Sequence, residues 1–296
     1  MSEDILLEES PKADFREFYG RDPSQFLDLF LPRRKKAIEV LPIIFFIHGG
    51  FWKSEYDLSH AGHLCKVLSE TLEIAVVNVE YRRIGSSGGG WPYTFLDVGA
   101  AADFLSSVSY RHNLDHSRVI IIGHSAGGHL ALWVAMRSKI QDKNSILLSK
   151  DQHPFKFKAS ISLAGGVNLE EAFKKNLGGG IVKDFLGGTP KEFPARYAEA
   201  SPIELLMMPD EAPIVLIHGT DDRVVPFSLS KGFAEKALHI GAKNVRLIAL
   251  EKSAHFELID PRTKQFSIVQ SEVGQILAKL KVRHSTLTHR RFMPTI

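Results

Sequence analysis

The pentapeptide at residues 123–127 carries the strongest chemical signal in the sequence. It reads Gly-His-Ser-Ala-Gly, follows the apolar run 119–122, and opens an apolar segment suited to a helix. A serine at the tip of such a strand–turn–helix junction is exposed for attack on a carbonyl carbon, and the flanking glycines permit the tight turn. The pattern predicts that Ser125 is the nucleophile of an acyl-transfer reaction.

A second glycine-containing turn, His48-Gly49-Gly50-Phe51-Trp52, closes the apolar run 43–47. Two glycines directly after a strand let the backbone approach a ligand and direct its N–H groups toward it. Acyl transfer forms an oxyanion, and each such donor lowers the barrier by about 3–4 kcal/mol. We therefore predict an oxyanion hole made by the N–H groups of Gly50, Phe51 and Ala126.

A serine nucleophile needs a general base. Beyond the segment 214–222, which ends in the candidate acids, the remaining histidines are His239, His255, His284 and His289. His239 falls inside a predicted helix, and the last two lie in a basic terminal segment. His255 lies in a loop just past a strand-like run, so it is the predicted base.

The base in turn needs a carboxylate to orient it. The run 214–217 ends in His-Gly-Thr-Asp-Asp, which makes both Asp221 and Asp222 candidates. Glu170 and Glu171, after the preceding strand-like run, are the next positions to consider.

Strand-like runs alternate with longer amphipathic stretches along the chain. The run 26–31 alternates apolar and polar residues, as a half-buried antiparallel strand does, whereas later runs are continuously apolar, which is typical of strands covered on both faces. These later runs are 43–47, 74–79, 119–122, 159–163, 214–217 and 245–250. Helices are predicted at 57–71, 93–110, 126–139, 227–240 and 262–280. The alternation predicts an α/β fold with a mostly parallel, doubly wound sheet and flanking helices.

Residues 1–280 are predicted to form a single domain. The stretch 165–205 breaks the strand–helix rhythm with several glycines and is longer than a crossover requires, so we expect a small cap insertion there. Residues 281–296 contain four basic residues and no acidic one, and we expect a flexible tail.

Taken together, the segments HGGFW, GHSAGGHLA, HGTDDRVVP and AHF resemble the α/β-hydrolase superfamily over residues 25–280. The resemblance implies the α/β-hydrolase fold and a catalytic triad of Ser125, Asp222 and His255. It favours the second of the two adjacent aspartates, because Asp222 stands four residues before Pro226. No cofactor is implied.

Within that superfamily the chain is similar to the esterase and kynurenine-formamidase-like branch. The segment Glu-Tyr-Arg-Arg at 80–83, with Gly-Gly-Gly-Trp-Pro at 88–92 and Asp97, looks like bacterial esterases of that branch, including feruloyl-esterase-like members. The leading hypothesis is a serine esterase that cleaves a carboxylic ester of a small or aromatic acyl group. An arylformamidase that cleaves an amide of the N-formylkynurenine type uses the same chemistry and is the alternative. A non-catalytic protein that binds small molecules is the third hypothesis.

Other residues near predicted strand ends are candidates for binding. Trp52, Trp91 and Phe256 lie on loops where they could line a substrate pocket. His60 and His63 have a spacing that suits a metal, but no third ligand is evident, so no metal site is predicted.

The composition excludes several classes of protein. A net charge of +3 is too small to indicate nucleic-acid binding, and no apolar stretch approaches the roughly twenty residues of a membrane span. One cysteine, Cys65, cannot form an internal disulfide, and together with the acidic start this suggests a cytoplasmic protein. The partner that the resemblance implies is a small-molecule ester or amide substrate. The remaining histidines, including His124 and His129, are assigned to packing or the surface.

Overall fold

Eight strands of the computed structural model, which describes residues 3–33, 40–148, 154–207 and 212–290, pair into one sheet. They are β1 (Phe15–Phe18), β2 (Phe26–Phe30), β3 (Leu41–Ile47), β4 (Ala75–Val79), β5 (Leu114–His124), β6 (Ala159–Leu163), β7 (Ile214–Gly219) and β8 (Val245–Leu250). Their order is β1-β2-β4-β3-β5-β6-β7-β8. The first two pairs are antiparallel and the remaining pairs are parallel, which confirms the predicted mostly parallel sheet.

Helices cover both faces of this sheet. They are α1 (Gly62–Leu72), α2 (Tyr93–Arg111), α3 (Ala126–Met136), α4 (Leu169–Lys174), α5 (Ile181–Leu186), α6 (Pro194–Ala200), α7 (Pro202–Leu205), α8 (Ser228–His239) and α9 (Lys264–Arg290). Buried residues of α1 and α9 belong to one apolar cluster, and those of α2, α3 and α8 belong to the other. The single cysteine, Cys65, is fully buried on α1.

The central strand β3 shows why the apolar runs are continuous. Ile43, Phe45 and Ile47 enter the cluster on the α3 face, whereas Ile44 and Phe46 enter the cluster on the α1 face. Successive side chains of a strand point to opposite faces, so a strand buried on both sides must be apolar at every position. The predicted covering of this strand by helices on both faces is confirmed.

The two edges of the sheet depart from the sequence-based expectation. β1 was not predicted, because its Phe-Arg-Glu-Phe sequence is short and mostly exposed and pairs only with β2. β8 was predicted to be covered on both faces, yet most of its residues are only partly buried or exposed. Apolar content alone cannot distinguish an edge strand from a central one, because the difference depends on what packs beside it.

The segment 165–205, where a cap insertion is expected, contains α4 to α7 and packs on α3. The Nε2 of His129 lies 2.8 Å from the carbonyl oxygen of Ala200, and the Nε1–H of Trp133 donates to the carbonyl oxygen of Glu199 at 2.9 Å. A Cβ added at Gly178 would lie 2.9 Å from the ring of Phe51, so the insertion also touches the turn after β3. Burial lowers the pKa of His129 to about 4, which leaves its ring neutral.

The C-terminal helix α9 runs to Arg290, so the backbone of residues 281–290, the first part of the expected basic tail, is helical. The stretch 275–290 contains neither glycine nor proline, and nothing in it stops a helix. Residues 291–296 of the expected tail lie outside the described residues. Across the described part of the chain, we find no helix with the length and apolar character needed to span a membrane.

Helix α3 crosses the end of β3 at Gly127, where a Cβ would lie 2.0 Å from the carbonyl oxygen of Ile47. The substitution Gly127→Ala should therefore lower the free energy of unfolding by about 3 kcal/mol, because a rigid backbone contact must move. The matched control is Gly232→Ala on α8, where a Cβ meets nothing within 4 Å. That change should be neutral or stabilise the fold by about 0.5–1 kcal/mol. Urea unfolding compares the two variants, and equal stabilities would contradict this account of the crossing.

Candidate active site

Ser125 stands at the turn between β5 and α3. Its φ of 55° lies in the left-handed region, which residues with a side chain rarely adopt. Its N–H donates to the carbonyl oxygen of Leu163 on β6 at 2.8 Å, which fixes the turn to the sheet. A Cβ at Gly123 would lie 2.0 Å from the carbonyl oxygen of Gly127, so the two glycines allow the turn to close. The structure thus places Ser125 on a strained elbow at the end of the central strand β5.

The turn after β3 is strained in a similar way. Gly50, Phe51 and Trp52 have φ values of 105°, 52° and 57°, and left-handed non-glycine residues of this kind cluster at functional sites. Lys53 N–H donates to the carbonyl oxygen of Gly50 at 2.9 Å and closes the turn. Ala126 is the first residue of α3, so its N–H is one of the donors that lack an acceptor within the helix.

The loops after β7 and β8 bring His255 and Asp222 together. The Nδ1 of His255 lies 2.6 Å from the Oδ2 of Asp222, and both side chains are almost completely buried. Asp221, the other candidate acid, is exposed, and its carboxylate accepts a hydrogen bond from the hydroxyl of Thr220 at 3.2 Å. Glu170 and Glu171 lie on α4 and form ion pairs with Lys174 and Lys175. The carboxylate beside the imidazole is therefore that of Asp222.

The surroundings of Asp222 favour its charged form. Its Oδ1 accepts hydrogen bonds from the N–H groups of Val224 and Val225, each at 2.8 Å, and the Nε2 of His218 lies 3.2 Å from its Oδ2. Burial raises the pKa of Asp222, but the hydrogen bonds with His218, His255 and the Val225 N–H outweigh it and hold the pKa well below its usual range. The loop after β7 thus supplies a fixed negative charge to the imidazole of His255.

A small cavity opens beside these groups. Its volume is about 40 Å³, enough for a water molecule or a small substituent. It is lined by Leu6, Gly50, Phe51, Tyr56, His60, His124, Ser125, Val224, His255 and Phe256. The serine of the elbow, the imidazole and the strained turn therefore face one common space.

Of the three aromatic residues considered for the pocket, Phe256 lines this cavity, but Trp52 and Trp91 do not. Trp52 is 1% exposed and stacks on Phe185 of the insertion at 4.4 Å between ring centroids. Trp91 packs edge-on against Phe95 of α2. The ring of Trp52 thus contacts the segment 165–205 and that of Trp91 contacts α2, and neither ring lines this cavity.

His60 and His124, which sequence analysis assigns to packing or the surface, also line the cavity. The Nε2 of His124 lies 3.1 Å from the carbonyl oxygen of His255, so its proton is on Nε2 because a carbonyl only accepts. Burial lowers the pKa of His124 well below its usual value, and burial lowers that of His60 to about 3. Both rings are neutral at physiological pH and add no positive charge beside His255.

The buried carboxylate of Glu80 supports the turn after β3, a role that the sequence did not predict. Its oxygens accept hydrogen bonds from the N–H groups of Tyr81 at 2.8 Å and Leu58 at 3.0 Å. The Nε2 of His48 lies 3.1 Å from the carboxylate, and the Nη2 of Arg83 lies 3.2 Å away. The Glu80 side chain thus connects the end of β4, the helical turn Leu58–Ala61 and His48, the first residue of the strained turn.

His48 connects the Glu80 carboxylate to the glycines of the turn. Its Nδ1 lies 2.8 Å from the carbonyl oxygen of Gly49, and its own carbonyl oxygen accepts a hydrogen bond from the hydroxyl of Tyr81 at 2.9 Å. The rings of His48 and Tyr81 stack at 4.5 Å. The only sequence signal for this network is a charged Glu-Tyr-Arg-Arg segment directly after a fully apolar strand, where a buried charge needs partners.

Metal binding has no support in the described ranges, where no three His, Cys, Asp or Glu side chains are grouped so that they could hold an ion. His63, paired with His60 by spacing alone, turns away from it, and its Nε2 lies 2.9 Å from the carbonyl oxygen of Glu9.

A mostly parallel sheet with a serine on a strand–turn–helix elbow, and with a His–Asp pair on the loops after the last two strands, defines the α/β-hydrolase fold. The chain belongs to the BD-FAE family, whose model matches residues 27–237.

Two curated relatives share about a quarter of their aligned residues with this chain. The chain is 27% identical over 249 residues to a probable isoprenylcysteine alpha-carbonyl methylesterase of Arabidopsis thaliana, covering 81% of this chain and 50% of that protein. It is 25% identical over 253 residues to the esterase LipC of Mycobacterium tuberculosis, covering 83% of this chain and 60% of that protein. The chain thus spans about half to three-fifths of the length of these relatives.

Solved structures share the fold over nearly the whole chain. Esterase B from Lactobacillus rhamnosis superposes with a TM-score of 0.80 at 18% identity, covering 97% of this chain and 93% of that one. A truncated carbohydrate esterase from gut microbiota superposes with a TM-score of 0.75 at 22% identity, covering 92% of this chain and 100% of that one.

The Glu80 network gives a prediction about stability. Glu80→Gln leaves the buried guanidinium of Arg83 without its carboxylate, which should lower the free energy of unfolding by about 3 kcal/mol. The control, Glu70→Gln, removes a partly exposed carboxylate that pairs with Lys66 and should change stability by less than about 1 kcal/mol. Urea unfolding of both variants tests this prediction. Similar losses in the free energy of unfolding would contradict a stabilising role of the buried Glu80 network.

Proposed function

We propose that this protein is a serine hydrolase that cleaves carboxylic esters through an acyl-enzyme. The observation that carries the proposal is the 2.6 Å contact between His255 Nδ1 and Asp222 Oδ2, with His255 and Ser125 lining one cavity. This arrangement provides a nucleophile, a base and a carboxylate that orients the base. The relatives, which include a probable methylesterase and an esterase, support the same reaction class.

In the first half of the reaction the Oγ of Ser125 attacks the ester carbonyl carbon while the Nε2 of His255 accepts the hydroxyl proton. Asp222, ionised and held by the backbone of its own loop, keeps the other ring nitrogen protonated and stabilises the imidazolium. The N–H groups of Phe51 and Ala126, with that of Gly50, are assigned to the developing oxyanion. Collapse of the intermediate breaks the bond to the alkoxy oxygen, which takes the proton from His255 and leaves as an alcohol.

The second half repeats these steps with water. His255 removes a proton from a water molecule, whose oxygen attacks the acyl carbon, and the Ser125 oxygen then leaves and is reprotonated. The products are one carboxylic acid and one alcohol. The neutral state of His60 and His124 supports this cycle, because neither ring competes with His255 for the charge of Asp222.

The size of the cavity favours a small substituent beside His255. A volume of about 40 Å³ accommodates the alkyl part of a small alcohol better than a long chain. The Arabidopsis relative is a probable methylesterase, which agrees with a small leaving alcohol. We therefore propose esters of small alcohols as the substrate class.

Replacing the nucleophile provides the first test of the proposed activity. Ser125→Ala should reduce the turnover of p-nitrophenyl acetate by a factor of at least about 10⁴, because the remaining groups cannot form an acyl-enzyme. Ser162→Ala, which removes a buried hydroxyl on the neighbouring strand β6, should retain activity. A serine-directed organophosphonate should label the peptide that contains Ser125, as detected by mass spectrometry.

Two results would contradict the proposal. Activity of Ser125→Ala equal to that of the unmodified protein would remove the nucleophile. Faster cleavage of N-formylkynurenine than of any simple ester, measured side by side, would replace esterase with arylformamidase.

The adjacent aspartates provide a matched pair for the second test. Asp222→Asn should lower kcat by about 10⁴, because the imidazole of His255 then loses the carboxylate that selects its tautomer. Asp221→Asn changes an exposed side chain and should leave kcat within a factor of about two. Turnover of p-nitrophenyl acetate is measured for both, with unfolding curves to establish that each is folded. The opposite ranking would assign the acid to Asp221.

A further inference from the structure

The described chain begins with a strap that reaches the active-site cavity. We define the N-terminal strap as residues 3–10, which open with a 3₁₀ helix, Glu3–Leu7. Leu6 of this helix lines the cavity together with Ser125 and His255. Its neighbour Leu7 is 87% exposed, so the helix presents one leucine to the site and the other to solvent.

The strap is anchored by apolar burial. Ile5 is 1% exposed and belongs to the core cluster on the α1 face of the sheet. The strap helix packs against the helical turn Leu58–Ala61, which carries His60 into the same cavity. A Cβ added at Gly62 would lie 2.0 Å from the Oγ of Ser10, so the end of the strap lies directly on the start of α1.

Charged groups anchor the same segment a second time. The carboxylate of Glu8 pairs with the guanidinium of Arg262, which also pairs with Asp260 at 2.8 Å. The Nε2 of His63 lies 2.9 Å from the carbonyl oxygen of Glu9 and 3.7 Å from the carboxylate of Glu8. Because both its apolar and its charged residues are fixed, the strap forms a wall of the cavity.

The chemistry of the proposed cycle identifies which part of the ester meets this wall. His255 returns its proton to the alkoxy oxygen of the leaving group, so that group must lie beside the imidazole. The cavity is lined by His255, by the adjacent Phe256, and by Val224 from the loop that holds Asp222. Gly50 and Phe51 of the strained turn line the same cavity, so it extends from the proposed oxyanion site to the base. We assign its His255 side to the leaving group, and Leu6 is one of the apolar residues that line the cavity.

We propose that Leu6 is a specificity-determining residue that limits the size of the leaving alcohol. This inference rests on the proposed esterase function and adds a residue that none of the catalytic motifs contains. Leu6 lines a cavity of about 40 Å³, and its side chain occupies space comparable to several carbons of an alkyl chain. Shortening it should admit longer alcohols while leaving the reacting groups in place.

The test compares Leu6→Ala with Leu7→Ala, the same substitution at the next position of one helix. We measure kcat/KM by titration of released acid for ethyl acetate and hexyl acetate. Leu6→Ala should raise the hexyl-to-ethyl ratio by about tenfold, and Leu7→Ala should leave it unchanged. A ratio within a factor of about two of the original for Leu6→Ala would overturn the proposal. Unfolding curves establish that both variants are folded.

A second series separates the leaving group from the acyl group. The ratio of ethyl hexanoate to ethyl acetate should stay unchanged in Leu6→Ala, and a gain confined to this series would overturn the assignment of Leu6 to the alcohol side.

A binding measurement separates failure of this inference from failure of the proposed function. Hexan-1-ol should bind to Leu6→Ala at least about fivefold more tightly than to the unmodified protein or to Leu7→Ala, as measured by equilibrium dialysis. If no ester is hydrolysed by the unmodified protein, the esterase proposal is wrong, but tighter binding of the alcohol would still support Leu6 as the wall. Equal binding by all three proteins would overturn it.

Discussion

The close contact of three backbones at the elbow is the constraint on which the site depends. Gly123, Gly127 and the end of β3 approach so closely that any Cβ would meet a carbonyl oxygen at about 2 Å. This contact aligns β5, α3 and the turn after β3, so that Ser125 at the end of one strand and Phe51 at the end of its neighbour lie next to each other. The strain at both positions persists because the sheet and α3 hold the backbone from both sides.

The remaining catalytic candidates are held by electrostatics rather than by backbone contact. Asp222 is buried and yet keeps its charge, because two backbone N–H groups and two imidazoles surround its oxygens. Glu80 plays a similar part for His48 and the strained turn after β3. Each buried carboxylate is satisfied by several donors, which is the condition under which a charge can be buried without unfolding the loop around it.

Much of this could be predicted from local sequence. The continuous apolar runs of β3 to β7 predicted central parallel strands, because each is covered on both faces. Ser125, Gly50 and His255 could be named as candidates because glycines, strand ends and histidines leave short-range signals. The sheet edges were less certain, since β1 is mostly exposed and β8 looks like a central strand until its neighbours are known.

The sequence by itself therefore determined the fold class, the elbow, and the candidates for the base and the oxyanion turn. The family resemblance favoured Asp222 over Asp221, and the tertiary structure places the carboxylate of Asp222 at 2.6 Å from the imidazole, because adjacent side chains in a turn point in different directions. It also moved Trp52 into the core and placed Leu6 at the cavity, through contacts with partners more than a hundred residues away in the chain. Strand periodicity and turn chemistry act over a few residues and can be found in the sequence, whereas cavity walls form from segments that meet only when the chain is packed.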